Sequence, residues 1–161
     1  MRLNGLAPVW RADARLLILG SFPGAASLQA QQYYAHPRNA FWPVMAVLLN
    51  LPDLPQHPYA ERLQALVDAR IALWDAVAAC ERPGSLDADI RAAKPSDLPD
   101  LLGRLPELRA IACNGAEAHR QASAALPGRT LLRLPSTSPA HASRSQADKC
   151  AEWAQSLRPW L

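Results

Sequence analysis

Apolar and polar positions alternate along this chain in blocks that predict strands separated by helices. Four short, nearly continuous apolar runs are typical of strands buried on both faces, at 15–19, 70–74, 109–113 and 130–134. Between and after them, apolar residues recur at three- and four-residue spacing, which predicts helices over 41–49, 60–69, 117–125 and 143–157. This alternation predicts an α/β fold over 1–161, with a central four-stranded parallel sheet in a three-layer α/β/α sandwich.

Polar residues follow each predicted strand. In a doubly wound sheet, the carboxyl ends of parallel strands lie along one edge, where ligands bind. We therefore expect the segments after the strands to converge: 20–24, Asp75, Asn114 with Gly115, and 135–138. Asp75 is equally compatible with a helix cap or an ion pair, and an Asn-Gly pair is common in simple turns, although Asn114 can also contact a base or sugar.

The segment after the first strand, GSFPGAASLQAQQYYAHPRNAFW, combines a tight turn with unusual side chains. Gly20 and Gly24 bracket Pro23, where the backbone turns and leaves amides exposed. Downstream are three kinds of side chain. They are the aromatic rings of Tyr33, Tyr34, Phe41 and Trp42, the cationic or titratable groups of His36 and Arg38, and the amide of Asn39, which both donates and accepts hydrogen bonds. This mixture suits a nucleobase, although turns and core packing use the same residue types.

A second unusual loop, LPSTSPAHA, follows the last predicted strand. Ser136, Thr137 and Ser138 offer hydroxyls and amides of the kind that hold phosphates. An equally good interpretation makes Ser138 a helix N-cap, with Pro139 as the first helical residue. A functional interpretation therefore depends on the two loops together.

Composition and charge exclude only a few classes of protein. The 161 residues are 50% hydrophobic, enough for one core, and the net charge of +3 permits a nucleic-acid ligand without demanding one. Cys80, Cys113 and Cys150 are scattered, which argues against a disulfide framework, a zinc site or a four-cysteine iron-sulfur cluster. No signal peptide or membrane span is evident. We expect a cytoplasmic protein that uses no metal or other cofactor.

Taken together, the two loops resemble motifs of the uracil-DNA glycosylase superfamily, and most closely its hypoxanthine (deoxyinosine) branch. GSFPG is similar to the first motif, YYAHPRNAFW to the base-stacking segment, and LPSTSPAHA to the second motif. ALWDAV and the later GSLD extend the resemblance from Leu16 to about Ala142. The resemblance implies a uracil-DNA glycosylase-like fold and a double-stranded DNA partner that contains a damaged or mismatched base, bound by a monomer.

Two departures from the superfamily motifs bear on the chemistry. Many members carry Asp or Asn at the third position of the first motif to position the attacking water, whereas this chain has Phe22. Uracil enzymes begin the second motif with His or Asn, whereas this chain has Leu134. The hypoxanthine branch resembles this chain in lacking that first-motif group, which implies that the catalytic amide is Asn39.

The resemblance also implies roles for the remaining candidates. Tyr34 would stack on the flipped base, with Phe22 as a second wall, and Asp75 would face the pocket floor and favour N–H donors. Amides of the turn formed by Gly20, Ser21, Phe22, Pro23 and Gly24 would stabilise the departing base, and hydroxyls near Ser136 would hold phosphates. Either His36 or His141 can donate a proton, and His141 can instead enter the vacated stack.

We expect a monofunctional hydrolase of base excision repair, because Lys94 and Lys149 lie outside both motifs and Lys149 falls on a polar face of the last predicted helix. Three alternatives remain open from the sequence. The chain can be a mismatch-specific uracil enzyme that uses Asn39, a catalytically silent nucleic-acid-binding module, or an enzyme acting on free nucleosides. The last is disfavoured because the chain lacks an aspartate cluster to hold a metal over the ribose.

Overall fold

The computed structural model describes residues 2–161. Its strands are β1 (Arg2–Asn4), β2 (Leu16–Gly20), β3 (Ile71–Asp75), β4 (Val77–Glu81), β5 (Arg91–Pro95), β6 (Ala110–Asn114) and β7 (Leu132–Leu134). Its α-helices are α1 (Ala25–Ala30), α2 (Phe41–Leu49), α3 (Tyr59–Asp68), α4 (Leu98–Gly103), α5 (Ala116–Ala125) and α6 (Gln146–Leu157). Short 3-10 turns cover Leu54–Gln56, Asp87–Asp89 and Arg158–Trp160.

Four strands form the central sheet in the order β3-β2-β6-β7, and every pair in it is parallel. The register places Gly20 beside Asp75 at the ends of β2 and β3, and Asn114 beside Leu134 at the ends of β6 and β7. The predicted four-stranded parallel sheet is confirmed, and the loops that follow its strands leave from one edge.

Helices cover both faces of this sheet. Leu16 and Ile18 of β2 point to a core shared with α2, α3 and α6, whereas Leu17 and Leu19 point to a second core shared with α4 and α5. Side chains alternate between faces along a strand, so an unbroken apolar run is what burial on both sides requires. The predicted three-layer α/β/α arrangement is confirmed.

A second sheet lies beside the first and was not predicted. It is antiparallel, in the order β1-β4-β5, and a single residue, Ala76, separates the end of β3 from the start of β4. Its start is tied to the first-motif turn, because the Ala76 and Val77 amides donate to the carbonyls of Gly20 and Ser21 at 2.8 and 3.0 Å. Phe22 packs beneath it against Val77 and Cys80.

The last helix begins later than predicted. Ser145 is its N-cap, with its hydroxyl accepting from the Asp148 amide at 3.1 Å, so α6 starts at Gln146 rather than at residue 143. The expectation that Lys149 lies on a polar outer face is wrong, since only 4% of it is exposed. Lys149, Trp153 and Leu157 follow one another at four-residue spacing and are all buried.

Candidate active site

A pocket of about 340 Å³ opens where the strands of the central sheet end, a volume within the usual range of about 300–1,000 Å³ for small-ligand sites. It is lined by every residue to which the sequence assigned a role in the site, whereas Arg38, Phe41 and Trp42 of the first loop do not line it. The lining residues with an assigned role are Gly20, Ser21, Phe22, Pro23, Gly24, Tyr34, His36, Asn39, Asp75, Asn114, Ser136, Thr137, Ser138 and His141. The predicted convergence of the strand-end loops is therefore what the fold produces.

Gly20 and Asp75 pair across β2 and β3 at the base of the pocket. A methyl group at Gly20 would overlap Oδ1 of Asp75 and lie 2.9 Å from the Tyr34 hydroxyl, so only glycine leaves room for both groups. The Asp75 backbone carbonyl accepts from the Ser96 hydroxyl at 2.6 Å. The side-chain Oδ2 of Asp75 is buried and has no hydrogen-bond partner among residues 2–161. This oxygen is therefore available to accept a hydrogen bond from a ligand.

The surroundings of Asp75 also change its acidity. Burial of the carboxyl group, and secondarily the charge of Asp87, raise its pKa to about 7, with Arg82 acting in the opposite direction. Near neutral pH the group therefore exchanges its proton, whereas an exposed aspartate would be fully ionised. Strongly perturbed carboxyl groups in clefts are typical of functional sites.

Aromatic rings form part of the wall. Tyr34 adopts a left-handed backbone conformation with φ 55°, and its ring stacks on Phe41 at 4.0 Å between centroids. Its hydroxyl accepts from the Asn114 side chain at 3.2 Å, and burial raises the pKa of the phenol, which stays neutral. Phe22 is itself buried, and the Arg82 guanidinium lies 5.2 Å from its ring centroid.

Asn39 lies in the loop just before α2. Its Oδ1 accepts from the Phe41 amide at 3.0 Å, which satisfies one of the free N–H groups at the start of that helix. This bond also identifies which side-chain atom is the oxygen. The next residue, Ala40, donates its amide to the Thr137 carbonyl at 2.9 Å, so the Asn39 segment is joined directly to the second loop.

The second loop is held by Asn114 at the end of β6. The Asn114 side chain accepts from the Thr137 amide and donates to the Thr137 hydroxyl, both at 2.9 Å. With its contact to Tyr34, both polar atoms of the amide are engaged, which favours a positioning role over direct contact with a base. Ser138 does not begin a helix, contrary to the alternative interpretation, and its hydroxyl accepts from the Ala140 amide at 3.2 Å within a turn.

Lys149 of α6 holds the same loop through hydrogen bonds to its backbone. The sequence did not predict that this lysine contributes to the site. Its ammonium group donates to the carbonyls of His141 at 2.7 Å and Ser138 at 3.3 Å, and burial lowers its pKa. Trp153, one turn further along α6, donates to the Pro135 carbonyl at 2.9 Å. The four-residue spacing of Lys149, Trp153 and Leu157 is the sequence signal that places the lysine on the buried face.

The two candidate histidines differ in their surroundings. His36 Nδ1 accepts from the Arg38 amide at 3.1 Å, which leaves Nε2 as its available donor when the ring is neutral. His141 Nε2 lies 3.3 Å from the Ser143 hydroxyl. Its Nδ1 is buried and finds no partner among the described residues. Both histidines line the pocket, and both therefore remain candidates for proton transfer.

Residues of the GSLD segment also line the pocket, although the sequence suggested no role for them. Ser85, Leu86 and Asp87 come from the connection between β4 and β5.

Within residues 2–161, no group of three His, Cys, Asp or Glu side chains is placed to hold a metal ion, and Cys80, Cys113 and Cys150 are buried free thiols. No helix in that range has both the length and the apolar character needed to cross a membrane.

A family model described as the uracil DNA glycosylase superfamily matches residues 8–160 of the chain. The chain belongs to the uracil-DNA glycosylase superfamily. This confirms the resemblance drawn from the two loops, and it makes the protein a DNA glycosylase, an enzyme whose substrate is DNA. The pocket at the strand ends, lined by both family-like loops, is its candidate active site.

Individual relatives of this glycosylase agree with the family match. It is 35% identical over 118 residues to the hypoxanthine DNA glycosylase of Methanosarcina barkeri (strain Fusaro / DSM 804), which covers 73% of this chain and 74% of the relative. It is 38% identical over 117 residues to the hypoxanthine DNA glycosylase of Methanosarcina acetivorans, covering 71% and 72% of the two chains. A solution NMR structure of a proposed uracil DNA glycosylase from Methanosarcina acetivorans superposes with a TM-score of 0.83, 32% identity and 99% coverage of both chains.

Proposed function

We propose that this DNA glycosylase removes hypoxanthine from deoxyinosine in DNA, as a monofunctional hydrolase that begins base excision repair. The two similar relatives named hypoxanthine DNA glycosylases support this substrate. The observation that carries it is the buried Asp75 carboxyl group, whose Oδ2 has no protein partner among residues 2–161.

The Asp75 carboxylate suits hypoxanthine because of the base edge that deamination creates. Hypoxanthine has an N–H at N1 beside the C6 carbonyl, whereas adenine has a bare nitrogen at N1 beside an amino group. An ionised carboxylate accepts from the N1–H but faces the lone pair of adenine N1. A buried polar group that finds no partner in the wrong ligand discriminates strongly. Uracil also offers an N–H beside a carbonyl, so it is the natural competitor.

The first-motif turn supplies donors for the carbonyl oxygen of the base. The amides of Ser21 and Phe22 have no hydrogen-bond acceptor among the described residues, and both residues line the pocket. Preorganised backbone donors stabilise negative charge as it develops on the departing base. The Tyr34 ring stacks on Phe41 with one face, and we assign its other face to the base. Stacking of a base on an aromatic ring contributes about 1–3 kcal/mol to binding.

Cleavage of the glycosidic bond places positive charge on the sugar as the base departs. When the sugar cation is largely formed before attack, a water needs orientation more than deprotonation, and an amide is sufficient. Asn39 Oδ1 has one lone pair engaged by the Phe41 amide, which fixes the orientation of the side chain. We assign the second lone pair to the attacking water, and we assign protonation of the leaving base to His36 or His141.

A glycosylase assay tests the proposal. End-labelled duplexes carrying one deoxyinosine or one deoxyuridine are incubated with the protein, and abasic sites are converted to strand breaks with alkali. We expect alkali-dependent breaks at inosine that exceed those at uracil, and no breaks without alkali. A strong preference for uracil would overturn the substrate, breaks without alkali would overturn the monofunctional assignment, and no product from either duplex would favour a silent binding module.

The role of Asn39 is tested with matched variants. Asn39→Ala should lose at least roughly 100-fold in single-turnover rate, while Asn39→Asp, which keeps an oxygen acceptor at the same place, should retain more activity. Asn39→Ala also removes a bond at the start of α2, at a cost of about 1 kcal/mol. Asp97→Ala is the control, since Asp97 caps α4 through the Asp100 amide at 3.1 Å and does not line the pocket. Equal activity losses in the alanine variants would refute a catalytic role.

A further inference from the structure

Residues 82–89, which we term the GSLD loop, are fastened to the first-motif turn by side-chain hydrogen bonds. Asp87 Oδ1 accepts from the Ser21 hydroxyl at 2.6 Å. The Ser85 hydroxyl accepts from the Ala25 amide at 2.9 Å. A surface loop that only connects two strands needs no such attachments, so these bonds indicate that the position of the turn matters to the site.

Arg82 adds an attachment from the beginning of the same loop. Only 7% of the residue is exposed, and its guanidinium donates to the Pro23 carbonyl at 2.5 Å. The guanidinium also lies 5.2 Å from the centroid of the Phe22 ring. The GSLD loop therefore holds the turn at several successive residues, and not only at Ser21.

Ser21 is the residue through which these attachments reach the base. The carbonyls of the two peptide groups that flank its α-carbon accept from the amides of Ala76 and Val77, at 2.8 and 3.0 Å. Its hydroxyl donates to Asp87, whereas its own amide has no hydrogen-bond acceptor among residues 2–161. Ser21 lines the pocket, so the direction of that free amide is fixed where a base would bind. Donors that are fixed in advance stabilise developing charge without having to reorient.

The negative charge of Asp87 is more than this hydrogen bond requires. A neutral side-chain amide accepts from a hydroxyl equally well, yet the chain places a half-buried carboxyl group on the wall of a pocket that already holds Asp75. Each of the two carboxylates opposes the ionisation of the other, because like charges repel strongly where water is scarce. The same loop carries the opposing charge of Arg82. The GSLD loop therefore sets the electrostatic environment of Asp75.

We propose that Asp87 is a positioning residue for base removal, whose hydrogen bond to Ser21 fixes the turn and whose negative charge acts on the Asp75 carboxyl group. It has these effects without touching the base. The inference rests on the proposed function of the pocket, and it adds a second carboxylate that controls the first. Loss of the Asp87 charge should let Asp75 ionise at lower pH, because that charge is one of the two causes that raise the Asp75 pKa.

Other ionisable groups surround the two carboxyl groups, and they are unchanged when Asp87 alone is replaced. Two are tyrosine phenols that stay neutral, because burial raises their pKa. Two are histidines that line the same pocket, and a further two carry a positive and a negative charge. In this order they are Tyr33, Tyr34, His36, His141, Arg82 and Glu117. A shift in pH dependence between variants therefore reports the charge at position 87.

Variants at position 87 separate the charge from the hydrogen bond. Asp87→Asn keeps an oxygen acceptor for Ser21 and removes the charge, whereas Asp87→Glu keeps the charge. Single-turnover excision from an inosine duplex is measured from pH 5 to pH 8.5. We expect the rise in rate to move to lower pH in Asp87→Asn, so that near pH 6 this variant cuts several-fold faster than the wild type. The rise should stay at the wild-type pH in Asp87→Glu.

Two further variants complete the set. Asp89→Asn is the control for charge, because Asp89 lies in the same 3-10 turn and does not line the pocket. Ser21→Ala keeps the Asp87 charge and loses the hydrogen bond, and it should cut roughly tenfold more slowly at pH 8.5. The inference is overturned by an unshifted rise in Asp87→Asn, by an equal shift in Asp89→Asn or Asp87→Glu, or by a wild-type rate for Ser21→Ala.

A measurement without substrate separates this inference from the proposed function. If the wild-type protein cuts inosine in no duplex, the proposed function fails, but the action of Asp87 on Asp75 can still be followed by carbon NMR of isotope-labelled aspartate carboxyl groups. The Asp75 signal is the one that is absent from Asp75→Asn. It should titrate at lower pH in Asp87→Asn than in the wild type, and identical titrations in both proteins would refute the inference.

Discussion

Replacing Asp75 by asparagine should make the protein more stable at neutral and alkaline pH while impairing catalysis. The carboxyl group is buried beneath the pocket, where burial raises its pKa from the ordinary 3.8 to about 7. The folded state therefore binds this proton more tightly than the unfolded state does. As pH rises from about 4 to 7, the wild-type protein loses stability, because folding then requires a buried carboxylate that the unfolded chain would leave in water.

The size of the effect follows from the two pKa values. Each unit of difference between the two pKa values corresponds to about 1.4 kcal/mol. The wild-type protein should therefore lose at most about 4 kcal/mol of its free energy of unfolding by pH values above 7. Asparagine has nearly the same shape and cannot ionise, so Asp75→Asn avoids this loss. For a chain of this size, the limit corresponds to a rise in melting temperature of roughly 8–16 °C. Below about pH 4 both proteins are neutral at this position and should melt together.

Thermal melts of both proteins from pH 4 to pH 8.5 test this expectation. The difference in melting temperature should grow through the interval between pH 4 and 7 and then level off, since all other titrating groups are common to both proteins. Asp53→Asn, at an exposed carboxyl group, is the control and should follow the wild type throughout. Parallel curves for Asp75→Asn and wild type, or a less stable variant at pH 8, would refute the argument.

Three further outcomes are expected. Wild-type excision of hypoxanthine should rise as pH increases through about 7, when Asp75 becomes the acceptor that N1–H requires, and this step should be absent from the pH profile of Asp75→Asn. Gly20→Ala should abolish excision while the protein stays folded by circular dichroism, because the added methyl meets the Asp75 carboxyl and the Tyr34 hydroxyl. Lys149→Met should lower the free energy of unfolding in urea by about 1–3 kcal/mol and slow excision, with partial rescue by Lys149→Arg; unchanged values would contradict its role beneath the second loop.

Much of the site could be predicted because parallel topology brings distant segments together. Buried strands are recognisable as unbroken apolar runs, and once they are assigned, their carboxyl ends must share an edge. Asp75 and Asn114 are far apart in sequence, yet each ends a strand of the same sheet. Their convergence needed only the strand assignments.

The features that were missed lack such a pattern. β1 has three residues and β5 is exposed at every position, so neither has an apolar period that marks a strand. The role of Asn39 as a helix-capping group depends on a loop conformation that the sequence does not specify. The GSLD loop was likewise missed as a wall of the pocket, because its attachments join it to residues about sixty positions earlier.

The close contact between Gly20 and Asp75 has an implication for how such enzymes diversify. The two residues lie opposite each other on adjacent strands, and the space above Gly20 is already filled by the carboxyl group. A larger residue at position 20 is compatible only with a shorter one at position 75, so the two positions should vary together among relatives. Redesign of base preference should therefore begin by exchanging this pair jointly.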